Sequence, residues 1–146
     1  MSNFWLGTVL FTNMYPKEPV QKEHVRERTG PKRTKRGIKM NQKIQEKSNY
    51  CLNCKIKPCS NKGCPLNNNI PEFIKQIKEQ NYKEAYKILQ ETTVLQPICG
   101  RICPHKKQCE GSCVRGIKGE PVSIGDMEAF IGDYAIENNL KFEKNI

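Results

Sequence analysis

All eight cysteines of this 146-residue chain lie between positions 51 and 113. They form two dense groups, Cys51-x2-Cys54-x4-Cys59-x4-Cys64-Pro65 and Cys99-x3-Cys103-Pro104-x4-Cys109-x3-Cys113. The density constrains the fold because there is little apolar material to hold the chain together. Apolar residues make up 36% of the sequence and the mean hydropathy is −0.72. Small domains this short of core rely on disulfides or bound metal. An even cysteine count suits a disulfide framework in a secreted protein, but no secretory signal supports it. The apolar stretch from Phe4 to Phe11 has no basic residue before it and no small-residue cleavage site after it. It is also too short to span a membrane. The chain is therefore read as cytoplasmic and not membrane-associated, in a compartment where thiols stay reduced and take up metal.

Spacing separates iron–sulfur from zinc. The first four thiols fall within 14 residues and are joined by short loops bearing Pro58, Gly63 and Pro65. A cubane cluster presents iron in several directions, so closely spaced loop cysteines take some corners and a distant cysteine completes the set. Structural zinc favours two Cys-x2-Cys knuckles separated by a spacer. Only Cys51 and Cys54 have that spacing, and the second group has no knuckle. The first group closes on Cys-Pro. In two-cluster ferredoxins the cysteine of that pair ligates the other cluster, and by the same logic Cys64 crosses to a second site. Counting alone gives two all-thiolate sites, with Cys99 as the eighth ligand.

Around the cysteines the pattern is helical. A short polar helix is expected over 38–48, then a cysteine-rich loop over 49–68. Asn69 suits a cap and Pro71 an opening turn. Ile70, Phe73, Ile74 and Ile77 repeat at helical spacing on one face, with Lys75 and Glu79 pairing on the other. Asn81 breaks this helix, and a second follows from about Tyr82 to Glu91 with Ala85, Ile88 and Leu89 inward. Residues 92–121 read as a second loop-rich cysteine segment. A last helix begins after Ser123, with Ile124, Met127, Phe130, Ile131 and Tyr134 as its stripe, and fades near Asn138-Asn139. No alternating strand pattern of useful length occurs. The expected fold is mainly α, a small helical domain with two cysteine-rich loop segments wrapped around the metal.

Charge is uneven. Residues 1–48 carry 11 Lys/Arg against 4 Asp/Glu, and residues 49–146 carry 14 against 11, so +7 and +3 make up the net +10. Residues 1–37 are expected to be a basic, poorly ordered leader, and 38–146 the helical domain, with its cluster-binding core at 49–135. A zinc-stapled basic module binding nucleic acid or protein is the alternative reading. Nucleic acid is disfavoured, because Lys32-Arg33-Thr34-Lys35-Arg36 has no interleaved aromatic residue for base stacking.

The stretch from Cys51 to Asp133 resembles the N-terminal domain of the glutamate synthase small subunit, a domain that also opens dihydropyrimidine dehydrogenase. The resemblance rests on Cys-Leu-Asn-Cys at 51–54, Gly-Cys-Pro-Leu at 63–66, Ile-Pro-Glu-Phe-Ile at 70–74, Cys-Gly-Arg-Ile-Cys-Pro at 99–104, Cys-Glu-Gly-Ser-Cys-Val at 109–114 and Gly-Glu-Pro-Val-Ser-Ile-Gly at 119–125. It implies two [4Fe–4S] clusters. Cluster 1 would use Cys51, Cys54, Cys59 and Cys113. Cluster 2 would use Cys64, Cys103, Cys109 and Glu128, with Cys99 the alternative fourth ligand. Gly63, Gly100, Gly111 and Gly116 would let backbone amides approach the sulfurs. His105 is read as a polar loop residue, and Arg101 as a counter-charge to a cluster or a bridge between loops.

In that family the cluster domain precedes domains for FAD and NAD(P)H, marked by G-x-G-x-x-G between strand and helix. No such motif occurs here. FAD and NAD(P)H are therefore expected only on a partner chain or on missing domains, and no complete catalytic centre is expected in this chain. The implied function is electron relay between a flavin and a partner redox centre in a glutamate synthase-like oxidoreductase. The partners would be a flavoprotein subunit, a large glutamate synthase-like subunit, or both.

Overall fold

The computed structural model describes residues 35–141, with side chains from Met40 onward. Of the expected leader, residues 1–34 lie outside the described residues. Five α-helices and three single-turn elements make up the described chain, and no β-strand occurs among the described residues. Helix α1 spans Lys35–Asn49, three residues ahead of its expected start. It is mostly polar, and on its described side chains only Ile44 and Ser48 are buried. It is tied down at its C-terminal half instead. The Gln45 side-chain amide donates to the Lys78 carbonyl at 2.6 Å, and Lys47 pairs with Asp126.

Helices α2 (Ile70–Lys78) and α3 (Tyr82–Gln90) form the expected hairpin. Ile70, Phe73, Ile74 and Ile77 of α2 and Ala85 and Leu89 of α3 are buried, with Ile88 partly buried beside them. Each large side chain taken fully out of water contributes about 1.5–3 kcal/mol. The turn falls at Gln80, in the left-handed region at φ 60°. The expected Lys75–Glu79 pair does not form. Lys75 meets Glu72 at 3.5 Å, one turn the other way.

Helix α5 (Ile124–Glu137) closes the core, burying Ile124, Met127 and Ile131. Tyr82 of α3 sets its ring edge-on to Phe130 and Tyr134 of α5, at centroid distances of 5.2 and 5.3 Å. Asn69 and Ser123 stand at the helix starts as expected, but neither side chain caps its helix. Lys57 occupies the Asn69 side chain, donating to Oδ1 at 2.8 Å. The caps come from the cysteine segments instead. The Ile70 amide donates to Ser60 Oγ at 3.1 Å, and the Gly125 amide donates to Glu110 Oε1 at 3.1 Å. Each satisfies an amide that a helix start leaves without an internal partner, and the Glu110 carboxylate also meets the positive end of the helix dipole. The core helices and the cysteine loops are thus tied directly together.

The loop expected over 92–121 contains a further helix, α4 (Gln96–Ile102). Gly100 within it argues against a helix on propensity, by about 1 kcal/mol relative to Ala. Tertiary packing overrides that cost. A β-carbon at Gly100 would lie 2.7 Å from both Ala129 Cα and the Gly125 carbonyl oxygen. Only glycine lets α4 press backbone to backbone on α5. Arg101 locks the crossing with an ion pair to Asp133.

Candidate iron–sulfur site

Two adjacent cavities collect all eight thiols. Cys51, Cys54, Cys59 and Cys113 line the first, among Pro58, Ile74 and Val122. Cys64, Cys99, Cys103, Cys109 and Glu128 line the second, together with Asn68, His105 and Gln108. Each cavity draws on both sequence groups, so neither group folds into a site alone. Ile70 and Ile124, the first residues of α2 and α5, line both cavities and form the wall between them.

Local geometry explains how the first segment presents its thiols. Cys51 follows the end of α1, its amide bonded to the Ser48 carbonyl. Asn53 takes the left-handed conformation at φ 52°, which asparagine tolerates better than most residues. That turns its amide toward Cys51 Sγ at 3.5 Å. Residues Cys59–Gly63 form one π-helical turn, closed by the Cys64 amide on the Cys59 carbonyl. The turn ends where a β-carbon on Gly63 would meet Cys109 Cα at 2.7 Å and the Gln108 carbonyl oxygen at 2.8 Å. This contact joins the two cysteine segments.

The other residues singled out in sequence have different places. Gly100 serves the helix crossing. Gly111 faces the Lys106 backbone, and Gly116 has ordinary room around it. His105 packs its ring against Gly125 and sets Nε2 3.1 Å from the Cys99 carbonyl oxygen. Arg101 bridges α4 to α5 as described and holds the helix end to the Pro97 carbonyl. Sequence reasoning missed Lys78, whose ammonium donates to the Cys51 carbonyl at 2.7 Å and favours the Cys51 thiolate. It also missed Asn68, 3% exposed beside the second cavity with Oδ1 unpaired among the described residues. Only the polar run Asn67-Asn68-Asn69 hinted that a side chain there had non-surface work.

The electrostatics call for a cation. Burial, reinforced by neighbouring thiols and carboxylates, pushes the Cys59 thiol up to about 11 and the Cys109 thiol up to about 12. Cys51 and Cys103 are raised for the same leading reason. Glu128 is 8% exposed, not a solvated surface glutamate, and burial raises its carboxyl to about 7. Grouped acids that resist ionisation become ligands when bound metal supplies the compensating charge. Four thiols in one cavity, and four thiols with a carboxylate in the next, fit iron–sulfur ligation. Among the described residues no three His, Cys, Asp or Glu side chains converge to hold a single metal ion. The donors stand around the cavity walls instead.

A helical frame, without strands among the described residues, that gathers eight thiols and a buried carboxylate into two cavities suits an iron–sulfur domain. The chain belongs to the family described as dihydropyrimidine dehydrogenase domain II, 4Fe-4S cluster, whose pattern matches residues 28–140. It is 40% identical over 96 residues to the glutamate synthase [NADPH] small chain of Azospirillum brasilense, covering 64% of this chain and 20% of that protein. The corresponding Escherichia coli K12 protein is 39% identical over 87 residues, 60% of this chain and 18% of its own length. The NAD-dependent dihydropyrimidine dehydrogenase subunit PreT of the same organism is 30% identical over 96 residues, 66% of this chain and 23% of its own. The match thus spans about a fifth of these relatives' length. The family is a 4Fe-4S one, which favours iron–sulfur over the zinc-stapled alternative. No helix among the described residues is long and apolar enough to cross a membrane.

Proposed function

We propose that this chain holds two [4Fe–4S] clusters and relays electrons between a flavin reduced by NAD(P)H and a partner redox centre, as part of a glutamate synthase-like oxidoreductase. The observation that carries this reading is the sorting of the eight thiols into two adjacent cavities, each supplied by both cysteine groups. Cys51, Cys54, Cys59 and Cys113 would hold the first cluster. Cys64, Cys103, Cys109 and Glu128 would hold the second. When bound, such clusters accept and donate single electrons. The chain's own residues fix the donors and shield them. Ser60 and Glu110 tie the cysteine loops to helix starts, Lys78 offsets charge beside Cys51, and Ile70 and Ile124 keep the two sites one side-chain layer apart.

NAD(P)H, which the names of the relatives mention, would sit with FAD on a partner chain or on further domains. Exposed apolar side chains support such a partner. Leu52, Ile56, Val114 and Ile117 stand on the segments carrying the first set of thiols, and Leu66, Ile98 and Ile102 on those carrying the second. Apolar surface concentrated around redox groups suits burial against another protein surface. The test is purification without oxygen, followed by iron and acid-labile sulfide analysis. About eight of each per chain, with broad brown absorption, is the expected result. A colourless yet compact protein holding zinc or cystine bonds refutes the reading.

A further inference from the structure

The second cavity carries one donor more than a cubane needs. Cys64, Cys103 and Cys109 leave a single iron corner, and both Cys99 and Glu128 line the same cavity. Their placement follows from the helix crossing. Cys99 directly precedes Gly100, and Glu128 directly precedes Ala129, the two residues that meet backbone to backbone where α4 presses on α5. The contact that fixes the helices therefore also brings both residues to the second cavity. His105 reinforces the arrangement, with Nε2 at the Cys99 carbonyl and its ring against Gly125 one turn before Glu128. Glu128 is more than nine-tenths buried, and its carboxylate makes no hydrogen bond among the described residues. A carboxylate this buried, without a hydrogen bond and in one cavity with Cys103 and Cys109, has a role other than solvation.

We infer that Cys99 and Glu128 are interchangeable ligands for one corner of the second cluster, so that this site exists in an all-thiolate form and a carboxylate form. The inference rests on the two-cluster reading above and adds a ligand exchange to it. Thiolate is the softer donor and carboxylate the harder, so the two forms differ in redox potential. The domain thereby gains a way to alter one cluster without altering the other, because the first cavity has four thiols and no fifth donor among its lining residues.

The test uses the full chain reconstituted anaerobically, with Cys99→Ala, Glu128→Leu and the double variant. Iron and acid-labile sulfide are counted, and the reduced clusters are followed by electron paramagnetic resonance. Each single variant is expected to keep about eight irons per chain, and the two to differ in the second cluster's signal and midpoint potential. The double variant should fall toward about four irons while the first cluster's signal and the helical circular dichroism persist. Loss of the second cluster in either single variant makes that residue the sole ligand and overturns the exchange. Full iron in the double variant overturns it as well. If leucine prevents folding, Glu128→Ala, which adds no bulk, replaces it with the same expected outcomes. A wild-type chain without about eight irons defeats the underlying two-cluster reading instead, which keeps the two failures apart.

Discussion

Gly63→Ala tests the joint between the two cysteine segments. The added β-carbon would lie 2.7 Å from Cys109 Cα and 2.8 Å from the Gln108 carbonyl oxygen. Ordinary contacts begin at 3.4 Å, so the backbone of Cys109 has to withdraw by about 0.7 Å. Both atoms belong to backbone, which cannot swing aside as a side chain would. Forced overpacking of this kind costs about 1–3 kcal/mol. Against it stands a gain of about 0.4–1 kcal/mol, because alanine restricts the unfolded chain and Gly63 has no positive φ that alanine would resist. The steric cost wins, leaving a net loss of about 1–2 kcal/mol. For a domain of about 100 residues that lowers the apparent Tm by roughly 5–10 °C. The damage should also be local. Cys64 and Cys109 flank the strained contact and both line the second cavity, so iron should fall from about eight toward about four per chain. The assays are an anaerobic thermal melt and iron analysis on the same preparation. An unchanged or higher Tm with full iron would show that the segments do not meet as described, since only the entropic gain would then remain.

Three further outcomes follow from the same geometry. Cys51→Ser should remove the first cluster, lowering iron toward about four per chain and broadening the thermal transition, as read by iron analysis and electron paramagnetic resonance. Glu110→Ala should destabilise by about 1 kcal/mol, through loss of the carboxylate at the start of α5, with iron content preserved in the cold and lost at a lower temperature than in wild type. Stripping iron with an oxidant and chelator should collapse the far-ultraviolet helical signal, because thiol-bearing segments around so lean a core lack another staple; an iron-free chain that keeps its full helicity contradicts this.

Much of the fold was legible because its signals are local. The 3.6-residue recurrence of Ile70, Phe73, Ile74 and Ile77, the break near Asn81 and the stripe on α5 are properties of short windows, and the structure has these helices where the pattern puts them. Helix α4 was not legible, since Pro97, Gly100 and the flanking cysteines all read as loop. Its glycine is there for a partner 29 positions away, and no local window contains that reason. The caps failed similarly. Asn69 and Ser123 occupy the right positions, yet Ser60 and Glu110 satisfy the helix amides from other segments.

Local pattern alone was enough to read a thiol-rich, mainly helical domain whose cysteines fall in two dense groups. Composition and spacing are enough for that, because a lean core and two dense cysteine groups leave few other ways to fold. The folded arrangement adds which thiols share a cavity, that Glu128 is buried in the same cavity as Cys99, and that Ile70 and Ile124 line both cavities. The physical reason is that each cavity is assembled from chain segments tens of residues apart. Their meeting depends on close backbone contacts at Gly63 and Gly100, which a linear reading cannot pair.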